Sequence, residues 1–350
     1  MKNYIDSYIL EKQNYPLKRT ILKFPKLNYG QVLVKIMYSG VCQSQLMEKK
    51  GLRGRDKWLP HLLGHEGSGI VSGLGKGVKK IKVGDKVILT WIKSKGINAK
   101  NAEYFTLKNT KINSGKVTTF SNYAVVSENR IVKKPKQMSL KHSPLFGCAI
   151  PTGAGIIFNQ IKPSKKKIVI VIGLGGVGLS SILALKALKV EKILAIDKNK
   201  FKLKLAKKLG ATHSINSADK NFKNEILNLC NKKGADYCVE SAGLSSTIEL
   251  GFSLIKKGGR LVFASHPDKS KKIKLIPHEL ISGKKIEGSW GGATKPDKDI
   301  PKFFKLFNKN KIKYNYLGNK IYNFSNLNKA LKDLDNGKVF RPIIKMSHGN

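Results

Sequence analysis

Four side chains in the first half of this sequence could do chemistry together. Cys42 stands in GVCQSQ, His65 and Glu66 in GHEGSG, and Cys148 in LFGCAIPTG. Two thiolates and one imidazole are a catalytic-type zinc set, because three protein ligands leave a fourth position for water or substrate. Glu66 adds a carboxylate that could serve as a temporary extra ligand or support the others from behind. The separations are long, 23 residues and then 83. Spacing alone therefore defines no metal motif, and for Cys42 taken singly a buried inert thiol stays open.

A second group of residues points to a dinucleotide. Gly173-Leu-Gly175-Gly176-Val177-Gly178 follows the apolar run Ile168–Ile172 and precedes an apolar helical stretch. In that setting the first glycine permits a tight turn. The second lets backbone approach a pyrophosphate at a helix N-terminus, and the third allows close helix–strand packing. Asp197 ends the next strand, 19 residues after Gly178. Its carboxylate would accept hydrogen bonds from ribose hydroxyls and repel a 2′-phosphate, which favours NAD over NADP; Lys198 and Lys200 weaken that preference.

These residues need scaffolds of two kinds. From Tyr4 to about Ile150 the pattern is short strands with frequent turns, as in Gln31–Val41 and Val83–Leu89, and predicts a β-rich, distorted barrel. From Lys165 onward, strand-like runs at 168–172, 192–196, 236–240 and 260–265 alternate with helical segments, the pattern of a parallel, doubly wound sheet. Phe201–Leu209 reads as a helix closed by Gly210. Farther on, Asp297–Asn310 reads as a helix, Ser325–Asn336 as a Ser-capped helix ending at Gly337, and Val339–Lys345 as a last strand. The fold class is thus α/β.

Length and composition agree with two globular domains: 350 residues, 41% hydrophobic, 25% charged. Four Cys in a chain of this length do not make a disulfide framework, and Met1–Leu10 has no secretory pattern, so a cytoplasmic location is expected. The uncharged run Ile168–Leu185 is interrupted by glycines and reads as strand, turn and helix rather than a membrane span. The net charge of +45 is extreme, but only six of the 67 basic residues are Arg, and Lys is spread along the whole chain. Base and phosphate readers lean on the Arg fork. The charge reads as a compositional bias, with non-specific adhesion to polyanions at low salt and no specific nucleic-acid partner.

Taken together, GVCxS at Gly40, GHExxG at Gly64–Gly69, VGDKV at Val83, GCxxxTG at Gly147–Gly153 and GLGGVG at Gly173 resemble the zinc-dependent medium-chain alcohol dehydrogenase family over nearly the whole chain. The resemblance implies a GroES-like β-rich catalytic domain (residues 1–149 and 291–350) and a Rossmann NAD-binding domain (150–290). It implies hydride transfer between an alcohol or polyol and NAD, with a small-molecule alcohol or carbonyl as substrate. Position by position, Cys42, His65 and Cys148 would be zinc ligands and Glu66 the neighbouring carboxylate. Ser44 would relay the substrate proton, Thr152 would lie near the nicotinamide, Arg341 would contact the pyrophosphate, and Trp91 would wall the substrate pocket. A homodimer or homotetramer is expected, with Ile286–Thr294 as a plausible joining segment. A carbonyl or sugar-intermediate reductase of the same family, or a catalytically silent nucleotide- or polyanion-binding relative, are the alternatives.

The sequence departs from that family in places. Many members hold a second, structural zinc with four Cys, but Ile92–Lys116 contains none, so one zinc per chain is expected. Gln45 stands where the family usually has Asp, and Met47 where some members complete the proton relay with His. His61 reads as a packing or hydrogen-bonding residue, Cys230 and Cys238 as small buried apolar groups, and the backbone of Ser241–Gly243 as a neighbour of the nicotinamide ribose.

Overall fold

The computed structural model describes residues 4–268 and 270–348. The reading of Met1–Leu10 lies partly outside these; Tyr4–Leu10 itself is a strand. The chain divides into two compact units, one of residues 1–148, 295–301 and 315–350, the other of 149–294 and 302–314.

The first unit opens with β1 (Tyr4–Leu10), β2 (Lys18–Lys23) and β3 (Gln31–Gly40), followed by the short helix α1 (Gln43–Lys49). The strand-like stretch Gln31–Val41 ends as β3 at Gly40, and Cys42 stands at the N-cap of α1. Next come β4 (His61–Leu62), β5 (Glu66–Leu74), β6 (Lys86–Thr90), β7 (Tyr104–Phe105), β8 (Lys111–Ile112), β9 (Tyr123–Ser127) and β10 (Ile131–Lys133). Apolar residues alternate along β3, and Val32, Val34 and Ile36 are fully buried with Val87, Leu89 and Phe120. That is the period-2 signature of a sheet covered on one face.

The Cys-free segment 92–116 is held by backbone bonds to buried side chains. Glu128 accepts N–H groups of Lys79 (2.9 Å), Lys80 (2.9 Å) and Ile97 (2.7 Å). Ser127 Oγ accepts from Ala99 N–H (2.9 Å), Gln31 donates to the Lys100 carbonyl (3.0 Å), and the buried Tyr104 hydroxyl accepts from Val125 N–H (2.8 Å).

The second unit runs through α2 (Ala149–Gly155), β11 (Ile168–Ile172), α3 (Gly176–Ala187), β12 (Lys192–Asp197), α4 (Lys200–Leu209), β13 (His213–Asn216), α5 (Phe222–Leu229), β14 (Ala235–Glu240), α6 (Ser245–Leu254), β15 (Ile255–Phe263), α7 (Pro277–Ile281) and β16 (Lys285–Gly288). Its strands are all parallel in the order β13-β12-β11-β14-β15-β16. This is the expected doubly wound sheet, with its switch point between β11 and β14, where such folds bind dinucleotides. The run Ile168–Ile172 is nearly all buried because helices cover both faces of a parallel sheet. Cys230 and Cys238 are buried in this core, as small apolar groups. Gly210 closes α4 at φ +127°.

The helix α8 (Pro296–Lys309) leads back, and β17 (Ile321–Asn323), α9 (Leu327–Asp335) and β18 (Ile343–Lys345) complete the first unit. β18 pairs antiparallel with β3, giving the order β10-β6-β5-β3-β18-β17, with β9 also on β3. Two expectations need correction here. No Ser cap starts α9: Ser325 lies in a 3₁₀ turn, and its carbonyl accepts the Tyr8 hydroxyl (3.2 Å). The last strand is shorter than Val339–Lys345, because Pro342 has no N–H to pair and Arg341 turns to Glu66. Among the described residues no helix is long and apolar enough to cross a membrane.

Candidate active site

Three turns of the first unit converge on one point. Ligand atoms of Cys42, His65 and Cys148 all lie within 4.8 Å of one another. Glycines make the convergence possible. Gly64 holds φ +88°, and a Cβ there would run into Thr119 and Phe120, so only glycine delivers His65 to the start of β5. A side chain at Gly40 would strike the Glu66 carboxylate, and one at Gly147 would strike Glu66 and the Leu89 carbonyl. The glycines of GVC, GHE and FGC thus clear space around Glu66 and its neighbours.

The chemistry of the donors fits a metal. Nε2 of His65 is buried without a hydrogen-bond partner, while Nδ1 is engaged on the far side by Gln45 Nε2 (2.5 Å). With Nδ1 held by Gln45, the imidazole is fixed beside the two thiols, where a ring nitrogen could join them on a metal. The neighbouring Cys148 thiol and the Arg341 charge hold Cys42 well below the usual thiol range, against the effect of burial. Its hydrogen bond to Cys42, with burial, pushes Cys148 well above that range. Burial opposes charge on His65, but Cys42 lifts it above the ordinary imidazole value.

Glu66 and Arg341 lie directly behind. Glu66 is 0% exposed and Arg341 4%. Nη2 of Arg341 donates to Oε2 (3.0 Å), and its Nε lies 2.8 Å from Oε1, close but poorly aligned for a second hydrogen bond. Burial raises the Glu66 carboxyl and Arg341 pulls it back down. Ser44, in the first turn of α1, has a buried hydroxyl with no partner. Trp91 follows β6, with its carbonyl bonded by Arg130.

A cavity of about 480 Å³ reaches Gln45 and His65. Its wall includes Glu48, Asp56, Trp58 and His61, and Trp91 is not part of it. Burial raises the Glu48 carboxyl. His61 bonds Asp56 (2.7 Å) and the Leu62 carbonyl (2.9 Å) through its two ring nitrogens, the hydrogen-bonding role expected of it.

The second unit forms a separate candidate site at its switch point. Gly173 turns the chain at φ +84°, and a Cβ there would collide with Ala242 of the loop after β14. A Cβ on Gly178 would strike the Gly173 carbonyl, whereas nothing lies within 4 Å of a Cβ on Gly175. This leaves an open cradle at the N-terminus of α3, at Gly175, Gly176 and Val177, which fits a pyrophosphate. Asp197 accepts the N–H groups of Leu174 (2.8 Å) and Asn199 (2.9 Å), and Lys202 stands 3.7 Å away. Thr152 is buried on α2.

Two residues escaped the sequence reading. Glu240, fully buried at the end of β14, accepts Ala242 N–H (2.7 Å), Gly243 N–H (3.1 Å) and Thr247 Oγ1 (2.8 Å), fixing the Ser241–Gly243 loop. Glu128 organises the segment 92–116, and no local pattern announces it. Gln45, singled out in the sequence, touches two metal-site residues at once.

Two family models match: the alcohol dehydrogenase GroES-like domain over residues 28–136 and zinc-binding dehydrogenase over 176–309. Alcohol dehydrogenase 6 of Peromyscus maniculatus is 30% identical over 96% of this chain and 96% of its own length. The structure of an alcohol dehydrogenase zinc-binding domain protein from Burkholderia ambifaria is 25% identical, with TM-score 0.92 over 99% of both chains. Benzyl alcohol dehydrogenase of Acinetobacter calcoaceticus is 28% identical, with TM-score 0.89 over 98% of this chain and 99% of that one. This chain, an oxidoreductase with a GroES-like and a Rossmann part, belongs to the zinc-type medium-chain alcohol dehydrogenase family.

Proposed function

We propose that the protein interconverts an alcohol or polyol and its carbonyl form, using NAD and a single zinc held by Cys42, His65 and Cys148. The observation that carries this reading is the convergence of Cys42, His65 and Cys148, whose ligand atoms all lie within 4.8 Å of one another. When bound, zinc supplies Lewis acidity at the substrate oxygen and the nicotinamide exchanges hydride with the substrate carbon.

The chain's own residues supply the rest. Two thiolates and a ring nitrogen would offer three donors and leave a fourth position for substrate. Ser44 Oγ, buried without a partner, takes the hydroxyl proton of the substrate and passes it outward. Glu66 stands behind the ligands with its charge balanced by Arg341, and could approach as an extra ligand. Trp91 is assigned to the substrate wall, Thr152 to the nicotinamide and Arg341 to the pyrophosphate. Backbone N–H groups at Gly175–Gly178 receive the pyrophosphate, and Asp197 accepts the ribose hydroxyls, selecting NAD over NADP. In this reading residues 1–149 with 291–350 form the catalytic domain and 150–290 the nucleotide domain, assembled as a homodimer or homotetramer in the cytoplasm.

The test is metal analysis together with nicotinamide absorbance over a panel of alcohols, polyols and their carbonyls, with NAD and NADP. About one zinc per chain and chelator-sensitive turnover are expected. Cys42→Ala and His65→Ala should each lose zinc and at least ~10³-fold in turnover, the scale of several kcal/mol of lost transition-state stabilisation. Full activity in a metal-free variant would overturn the assignment.

A further inference from the structure

Gln45 joins two of the proposed ligands through opposite ends of one amide. Oε1 accepts the Cys42 backbone N–H (2.7 Å), and Nε2 lies 2.5 Å from His65 Nδ1. The Gln45 side chain is 1% exposed.

The hydrogens constrain what this amide can support. An amide nitrogen only donates, so in the observed arrangement His65 Nδ1 accepts and carries no proton. A neutral ring with a bare Nδ1 keeps its proton on Nε2, the nitrogen that faces the two thiols. A metal at Nε2 needs that lone pair, which moves the proton to Nδ1. Nδ1–H would then face the two N–H donors of Gln45. Turning the amide over presents Oε1 to Nδ1–H, but sets its NH₂ against the Cys42 N–H. In either orientation one buried donor loses its acceptor.

We infer that Gln45 is a positioning residue that favours the metal-free form of the Cys42/His65/Cys148 centre: loading reverses its amide and releases the Cys42 N–H, so metal is held less tightly and exchanges more readily than with a carboxylate at this position. The reversal goes toward His65 because a ring polarised by a cation donates the stronger hydrogen bond. The inference rests on the proposed metal reading of the site.

A carboxylate has acceptors at both ends and can serve both donors at once. Zinc affinity is measured by competition with a chromophoric chelator for the full-length wild type and Glu at this position (Gln45→Glu). The variant should bind zinc roughly 10–100-fold more tightly, the usual scale of a ligand-supporting contact. Hydrogen exchange of the Cys42 amide is followed by NMR in the wild type alone, so the test stands if the variant folds poorly. It should be several-fold faster in the zinc-loaded protein than in the stripped one, a change that added negative charge cannot mimic. Equal or weaker affinity in the variant, or a Cys42 amide equally or better protected after loading, overturns the inference while leaving the metal centre intact. Absence of zinc binding to either protein overturns the metal reading and the inference together.

Discussion

Glu66 and Arg341 are opposite charges closed off from water, 275 positions apart in the chain. Removing one member of such a pair strands the other. Arg341→Met should therefore destabilise the fold by about 3–5 kcal/mol, while adding Glu66→Gln should recover a large part of the loss. Urea unfolding of the two single variants and the double variant measures this, and additive losses would contradict it. At this scale the sequence was most legible where residue type itself carries the chemistry. Two thiols, an imidazole and a glycine turn announce their uses. The bond from Arg341 to Glu66 and the double contact of Gln45 were not legible, because an ion pair or an amide bridge between distant positions leaves no local pattern.

Strand and helix assignments followed directly from the pattern of the second unit, where Ile168–Ile172 and Ile193–Ile196 are continuous apolar runs between helices. They were less complete where tertiary contacts set the ends of an element, as at Pro342 before β18 and Ser325 before α9. The segment 92–116 is the clearest case of order without a local signal. Burial opposes ionisation of Glu128, but the N–H groups of Ile97, Lys80 and Lys79 outweigh it and hold the carboxyl below the ordinary glutamate value. The stability it contributes is therefore fully present above that ordinary value and is lost as pH falls through the lowered one. Unfolding in urea from about pH 6 to pH 3 should show this loss. Glu128→Gln should remove part of that acid sensitivity and cost about 1.5–3 kcal/mol at neutral pH, because its NH₂ would face one of the donors. An unchanged acid profile in the variant would show that other carboxylates set it.

Over the whole molecule, 67 basic residues against 22 acidic ones give a field that no single site explains. Among the described ion pairs, half join exposed lysines to carboxylates and contribute little each. The protein should adhere to heparin or DNA at low salt and release steeply as ionic strength rises. Chromatography over a salt gradient checks this, and retention that persists at about 1 M salt would instead indicate a specific polyanion site. The insertion of β18 beside β3 also sets a timetable for biosynthesis. A nascent polypeptide whose first 148 residues have left the ribosome already contains every proposed metal donor, yet the end of β3 is an uncovered sheet edge and the Glu66 carboxylate lacks Arg341. Both partners are supplied by the stretch around Arg341–Lys345, made nearly two hundred residues later. Maturation of that unit is thereby postponed until translation has passed Arg341.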